Sequence, residues 1–449
     1  MTEAAGSAAG PAFVSEPGGC LRGALRVPGD KSITHRALMF GAVAEGETRI
    51  QRPLRGEDCL ATEAVLRQLG AIIQVQDEGQ LLVVQGRGDG ALSGAREPLD
   101  LGNSGTGMRL MAGLLAGRTF ESVLVGDRSL TRRPMERVAA PLRLMGADIQ
   151  TTNGCPPVVI RPLAKGALRP IHYQMPMASA QVKSAILIAG LRATGETSVT
   201  EPATTRDHTE RMLRAFGAVV RSTGGIATIQ GLERKSLQGQ SITVPGDISS
   251  AAFFLVGASV CPGSELLLEA VGVNPTRTGV VDVLRLLGAD ITQENERTVG
   301  GEPVADLRVR SARLQGARIP EHLVPLAIDE LPVLFVAAAL AEGETLITGA
   351  AELRVKESDR LGAMADGLRR LGVDLEVLRD GMRIRGRSRL EGGEIDSFGD
   401  HRIAMAFAVA GQRAADPVLI RETANVATSF PGFLDLAQAC GWRVHRVDA

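Results

Sequence analysis

Nine polar segments of this chain stand out, and all but one set arginine or lysine beside serine, threonine, asparagine or glycine. They are GDKSITHR from Gly29, LGNSGTGMR from Leu101, GDRSLTRRPM from Gly126, MASAQVKS from Met177, TTRDHTER from Thr204, NPTRTG from Asn274, AIDELP from Ala327, ELRVKESDR from Glu352 and FGDHR from Phe398. AIDELP contributes acids rather than a cation. Each falls at an expected loop or helix start, where free backbone N–H groups and the helix dipole favour negative charge. Several such ends facing one cleft would select a small polyanion. Carboxylates held near cations are also what acid–base chemistry requires. Asp329-Glu330 and Glu357, beside Lys356 and Arg360, offer that combination. The same spacing equally fits acids complementing a helix dipole and a salt-bridged face carrying Lys356 and Arg360 four apart.

Other chemistries are excluded. Gly29-Asp30-Lys31-Ser32 resembles the end of a phosphate-binding loop, but Asp30 stands between glycine and lysine and the G-x-x-x-x-G-K-[ST] spacing is missing. Gly-Asn-Ser-Gly-Thr-Gly before MRLMAGLLAG carries more glycine than an ordinary N-cap needs, which suits backbone amides approaching an anion. The five cysteines are far apart and unmatched by histidine clusters, so neither disulfides nor a metal site is expected. A net charge of −1 and 3% aromatic residues argue against nucleic acid and an anionic membrane as partners. No apolar run approaches the length of a membrane span. Residues 1–12, rich in Ala and Gly, are expected to form a disordered tail.

The elements that must position these segments repeat. LRQLGAIIQV, LRLMGADIQT, LRAFGAVVRS, LRLLGADITQ, LRRLGVDLEV and, more weakly, AQACGWRVHR each predict an amphipathic helix, a left-handed glycine cap and a strand. Small-residue runs leading into Gly-Glu-Thr, as in LFVAAALAEGETLI from Leu334, predict a second helix, a turn and a strand. The period is about seventy residues, longer than common solenoid repeats. Six α/β units result, three to each half, with small-residue helices inside and sheets outside. Val-Pro-Gly-Asp occurs at Val27–Asp30 and again at Val244–Asp247, marking two crossovers between the halves. The expected domains are 28–244, and 1–27 with 245–449.

In this order, Asp30-Lys31-Ser32, Gly102–Thr106, Arg133-Pro134-Met135, Arg206–Glu210, Arg354–Arg360 and Asp400-His401-Arg402 resemble the enolpyruvyl transferase family, from about Leu21 to the C-terminus. The resemblance implies two inside-out α/β barrel domains, each of three repeated units, joined by two crossovers. It implies transfer of the enolpyruvyl group of phosphoenolpyruvate to the 5-hydroxyl of shikimate 3-phosphate, with release of phosphate and no cofactor. By motif, Lys31, Ser32, Arg36, Ser179, Ala180, Gln181, Arg206, Asp329 and Lys356 would hold shikimate 3-phosphate. Lys31, Asn103, Gly105, Thr106, Arg133, Gln181, Arg360 and Arg402 would hold phosphoenolpyruvate. Asp329 would be the base, Glu357 the acid at the methylene carbon, and Lys31 would assist the leaving phosphate. A cytoplasmic monomer is implied.

Ala180, Arg206 and the absence of a lysine near Thr428 are similar to the second bacterial class of shikimate-directed members. Some of these have alanine at the position of Gly105 and tolerate glyphosate. The nearest rival within the family acts on UDP-N-acetylglucosamine with a loop cysteine, and 126–135 contains none. An inert anion-binding homologue is disfavoured by the joint presence of Lys31, Asp329, Glu357 and Arg402.

Overall fold

The computed structural model describes residues 10–163, 168–232 and 235–448. Six units follow one another, each with a buried helix and then an amphipathic one. The pairs are α1 (Lys31–Val43) and α2 (Glu57–Gln68), α3 (Gly105–Leu115) and α4 (Glu136–Leu144), α5 (Ala180–Gly190) and α6 (His208–Ala215). They continue with α7 (Ile248–Val260) and α8 (Gly279–Leu286), α9 (Leu331–Ala339) and α10 (Arg360–Arg370), α11 (His401–Gly411) and α12 (Phe433–Ala439). The first helix of each pair is apolar nearly all round; every residue of α7 and α9 is buried. A helix of that kind has no face to give to water and must sit inside. In the first half α3 packs on α1 and α5, while α7, α9 and α11 pack on one another.

Each second helix ends on the glycine the repeat predicts. Gly70, Gly146, Gly217, Gly288, Gly372 and Gly441 all have φ between +79° and +104°, which turns the chain from helix into a hairpin. The hairpins build six outer sheets of three or four strands. In the first unit Ser241–Thr243 lies parallel to Glu45–Gln51, which pairs antiparallel with Leu81–Arg87. The fourth unit repeats the pattern, with Arg22–Leu25 parallel to Glu265–Gly272. The fold is therefore helices inside and sheets outside, twice over.

Buried hydrophobic side chains form two separate cores. One runs from Ile33 to Val244; the other takes Phe13, Leu21, Val27 and the residues from Ile248 to Val444. The chain passes between them at the two Val-Pro-Gly-Asp segments, which lie side by side and antiparallel. Asp30 N donates to Pro245 O at 2.9 Å and Asp247 N to Pro28 O at 2.9 Å.

The expected tail corrects in part. Residues 1–9 lie outside the described residues, but Pro11 and Ala12 open the strand Pro11–Ser15, between Val418–Arg421 and Val444–Asp448. The sixth unit has only two strands after its buried helix that can form its hairpin side, so the start of the chain supplies the missing one. Ala12 and Phe13 are buried, and Phe13 stacks on Phe433 at 6.3 Å. No described helix is long and apolar enough to cross a membrane.

Candidate active site

All six buried helices point their N-termini at the gap between the halves, a consequence of repeating one unit with one polarity. Asp30, Ser104, Ser179, Asp247 and Asp400 accept backbone N–H bonds at the starts of α1, α3, α5, α7 and α11. The residues just inside those caps, Lys31 and Ser32, Gly105 and Thr106, Gln181, Ser249, and His401 and Arg402, line a common cavity of about 60 Å³. Asp329, just before α9, lines it too. Six positive dipole ends and a ring of cations face one small space, which favours anions there.

Two carboxylates organise the cations. Asp329 receives Arg206 from the first half at Oδ2, and Lys356 at 3.2 Å and Arg360 at 3.7 Å at Oδ1. Arg402 donates to its backbone carbonyl at 2.7 Å. Burial pushes this carboxyl up, but the attraction of Arg206, Lys356, Arg402 and Arg360 prevails and holds it well below the usual range. Glu357 accepts Arg133 from the first half at 3.2 Å and Arg360 at 2.5 Å. It too is raised by burial and carried well below its ordinary value by Arg360, Arg133 and Lys356. Arg360 is buried and held by both oxygens of Asp400, at 2.8 and 3.2 Å. Such a two-pronged grip fixes the plane of the guanidinium.

The other expected residues divide. Lys31, whose Nζ lies 3.0 Å from Asp58, lines the cavity with Ser32, Gly105, Thr106, Arg133, Gln181, Arg206, Lys356, Arg360 and Arg402. Arg36 does not. Its guanidinium turns back into the first core, donating to Thr209 at 2.7 Å, Ser184 at 2.8 Å and the carbonyl of Ser32 at 2.9 Å. Asn103 also stands behind the cavity; its amide gives one end to Asp127 at 2.7 Å and accepts Arg133 at 2.6 Å with the other. Ser179 caps α5, with Ala180 following, and neither lines the enclosed space. Lys356 and Arg360 do not share a helical face: Asp359 caps Gly362 N, so α10 begins only at Arg360 and Lys356 sits in the turn before it.

Several lining residues were given no individual role by the sequence, although all but Arg137 lie in segments it singles out. Arg109, one turn into α3, donates to Gln181 at 2.7 Å, and burial followed by Arg137 and Arg133 lowers its pKa to about 9. Arg137 pairs with Glu352 across the halves at 3.0 Å. His401 is held neutral, its pKa driven well down by burial and then by Lys31 and Arg402. The second Val-Pro-Gly-Asp does more than turn the chain. Asp247 accepts Lys31 N at 3.2 Å, and Arg277 reaches Ser249 at 2.6 Å and Asp247 at 3.3 Å. Cys155 touches the 126–135 loop, its Sγ 3.6 Å from Arg132 O, without lining the cavity.

This arrangement has known counterparts. A family model described as EPSP synthase (3-phosphoshikimate 1-carboxyvinyltransferase) matches residues 15–436. The chain belongs to the EPSP synthase family. Among its relatives, a 3-phosphoshikimate 1-carboxyvinyltransferase of Alkalilimnicola ehrlichii is 60% identical over 438 residues, covering 97% of each chain. One of Methylococcus capsulatus is 57% identical over 430 residues, covering 96% of this chain and 97% of the other. The solved EPSP synthase of Acinetobacter baumannii superposes with a TM-score of 0.86 at 52% identity, covering 98% of this chain and all of that one. An enolpyruvyl transferase of Streptomyces tendae, at 19% identity and a TM-score of 0.79, shares the fold. Membership in the EPSP synthase family favours shikimate 3-phosphate over a UDP-sugar as acceptor.

Proposed function

We propose that the chain transfers the enolpyruvyl group of phosphoenolpyruvate to the 5-hydroxyl of shikimate 3-phosphate, in the cleft between the halves. The observation that carries this is a ring of arginines and lysines from both halves closed around two partly buried carboxylates, Asp329 and Glu357. Both substrates are small polyanions, and bidentate guanidinium contacts suit their phosphates and carboxylates. Arg133, Arg360 and Arg402, with Lys31, Gly105, Thr106 and Gln181, would hold phosphoenolpyruvate. Ser32, Gln181, Arg206 and Lys356 would hold shikimate 3-phosphate. Arg36 acts by fixing Ser32 through its carbonyl, and Asn103 by orienting Arg133.

The chemistry is addition followed by elimination. Asp329, ionised, takes the proton of the 5-hydroxyl as that oxygen bonds to C2 of phosphoenolpyruvate, while Glu357 delivers a proton to C3 and makes a methyl group. In the second stage a methyl proton returns to Glu357, the double bond re-forms and the C2–O bond to phosphate breaks. Lys31 stabilises the departing phosphate. Glu357 must first be protonated. The carboxylate of phosphoenolpyruvate, pairing with the same guanidiniums, offsets the positive field that keeps Glu357 ionised and so raises its pKa. Because the cavity is walled by both halves, we expect them to part to admit substrates and close again to exclude solvent. We read the protein as a cytoplasmic monomer, with all five cysteines free.

Turnover in deuterium oxide tests the addition–elimination course. The transient methyl group should carry solvent deuterium into the vinyl position of product and recovered phosphoenolpyruvate, seen by NMR. Product free of deuterium would contradict a protonated intermediate.

A further inference from the structure

The segment NPTRTG plays no part in the chemistry above, yet Asn274 and Arg277 within it are buried, each only 2% exposed. Asn274 Nδ2 donates to Asp207 Oδ1 at 2.7 Å in the first half and to Glu302 Oε2 at 3.0 Å in the second. Its Oδ1 holds its own loop, accepting Thr276 N at 2.9 Å and Thr276 Oγ1 at 2.8 Å. Glu302 in turn pairs with His208 at 2.9 Å. Three residues on, Arg277 donates to Ser249 at 2.6 Å, and Ser249 bonds Glu330, whose Oε1 lies 3.7 Å from Arg277.

The partners of this segment are sequence neighbours of the cleft pair. Asp207 follows Arg206, and Glu330 follows Asp329. One member of each dipeptide meets the other across the cleft, Arg206 against Asp329. The second member of each is tied to 274–277. We propose that Asn274 and Arg277 are positioning residues that hold Arg206 and Asp329 in register when the halves close. The segment acts as a short strut that fixes both backbones, with Asn274 outside the cavity and Arg277 on its wall. Arg206 would hold shikimate 3-phosphate and Asp329 would take the proton of its hydroxyl, and misplacement by about 1 Å can cost about a hundredfold in rate. A polar patch that only glues the halves would stabilise closure without being coupled to Arg206 in particular.

This inference rests on the roles proposed for Arg206 and Asp329, and a double-mutant cycle separates it from them. Asn274→Ala should lower kcat/KM for shikimate 3-phosphate by about tenfold or more, the loss typical of a hydrogen bond to a charged group. In an Arg206→Ala background the same substitution should cost almost nothing, because the side chain it positions is gone. Melting followed by circular dichroism checks that each variant folds. Should Asn274→Ala not fold, Asp207→Ala breaks the same contact from the other half and enters the same cycle. An Asn274→Ala loss of equal size in both backgrounds, or no loss in either, would overturn the inference. If the wild type showed no turnover, the functional reading would fall, and the same double-mutant cycle read in urea-unfolding stability would decide the strut alone. Coupling between Asn274→Ala and Arg206→Ala supports it, and additive losses refute it.

Discussion

Arg206 and Asp329 stand 123 residues apart and in opposite halves, yet the guanidinium of one rests on the carboxylate of the other. Lys356 takes the remaining oxygen at 3.2 Å, so a single partly buried carboxylate is where cations of both halves meet. Closing the cleft thereby gathers the cations of both halves around one ionised base.

Asp329→Asn keeps the shape and the hydrogen-bonding reach of this group but cannot accept a proton. Steady-state kinetics should show kcat falling by about 10²–10⁴-fold, the usual contribution of a positioned base, with KM changed far less. Near-normal turnover would remove Asp329 from the mechanism.

Glu357 is ionised in the arrangement described, because Arg360 and Arg133 outweigh its burial. Binding of phosphoenolpyruvate with shikimate 3-phosphate should therefore be accompanied by proton uptake near neutral pH. Calorimetry in two buffers of different ionisation enthalpy reads that uptake directly. Glu357→Gln should abolish it and also cut kcat strongly.

A Cβ on Gly105 would come within 3.0 Å of Nη1 of both Arg109 and Arg133. Both guanidiniums would have to shift by a few tenths of an ångström. Gly105→Ala is expected to raise the inhibition constant for glyphosate more than the KM for phosphoenolpyruvate, as the larger ligand crowds the added methyl. Equal losses in inhibition kinetics would contradict this.

His35 is fully buried between Thr62 at 2.8 Å and Ser104 at 3.5 Å. Burial, then Lys31 and Arg36, lowers its pKa from 6.5 to about 3. Below pH 6.5 the unfolded chain takes up a proton that the folded one refuses. The stability tied to this neutral imidazole is thus complete above pH 6.5 and is lost as pH falls toward 3, at up to about 1.4 kcal/mol per pH unit. His35→Asn should flatten the decline in urea-unfolding stability between pH 7 and 5. Buried His401, also held low, leaves part of that slope in place.

The architecture was legible because its signals are local. A left-handed glycine after an amphipathic run fixes each helix end, and all six marked glycines, from Gly70 to Gly441, adopt that conformation. Runs such as LFVAAALA have no polar face, so their burial follows from composition. The direction of a side chain at a helix start is not local. Arg36 and Asn103 sit in motifs that point to anions, and tertiary packing turns both away to brace Ser32 and Arg133. Arg137 is an ordinary helix residue in sequence, and Arg109 and His401 lie in motifs that do not say which way their side chains turn; only the meeting of the units brings all three to the cavity. The strand Pro11–Ser15 was hidden because its pairing partners lie more than four hundred residues away in a nearly closed ring of units, beyond any local pattern.

Phosphate release measured with phosphoenolpyruvate and either shikimate 3-phosphate or UDP-N-acetylglucosamine tests the proposed activity most directly. Release is expected with shikimate 3-phosphate, to completion of the limiting substrate, and at background with the UDP-sugar. Release with the UDP-sugar alone, or with neither acceptor, would contradict it.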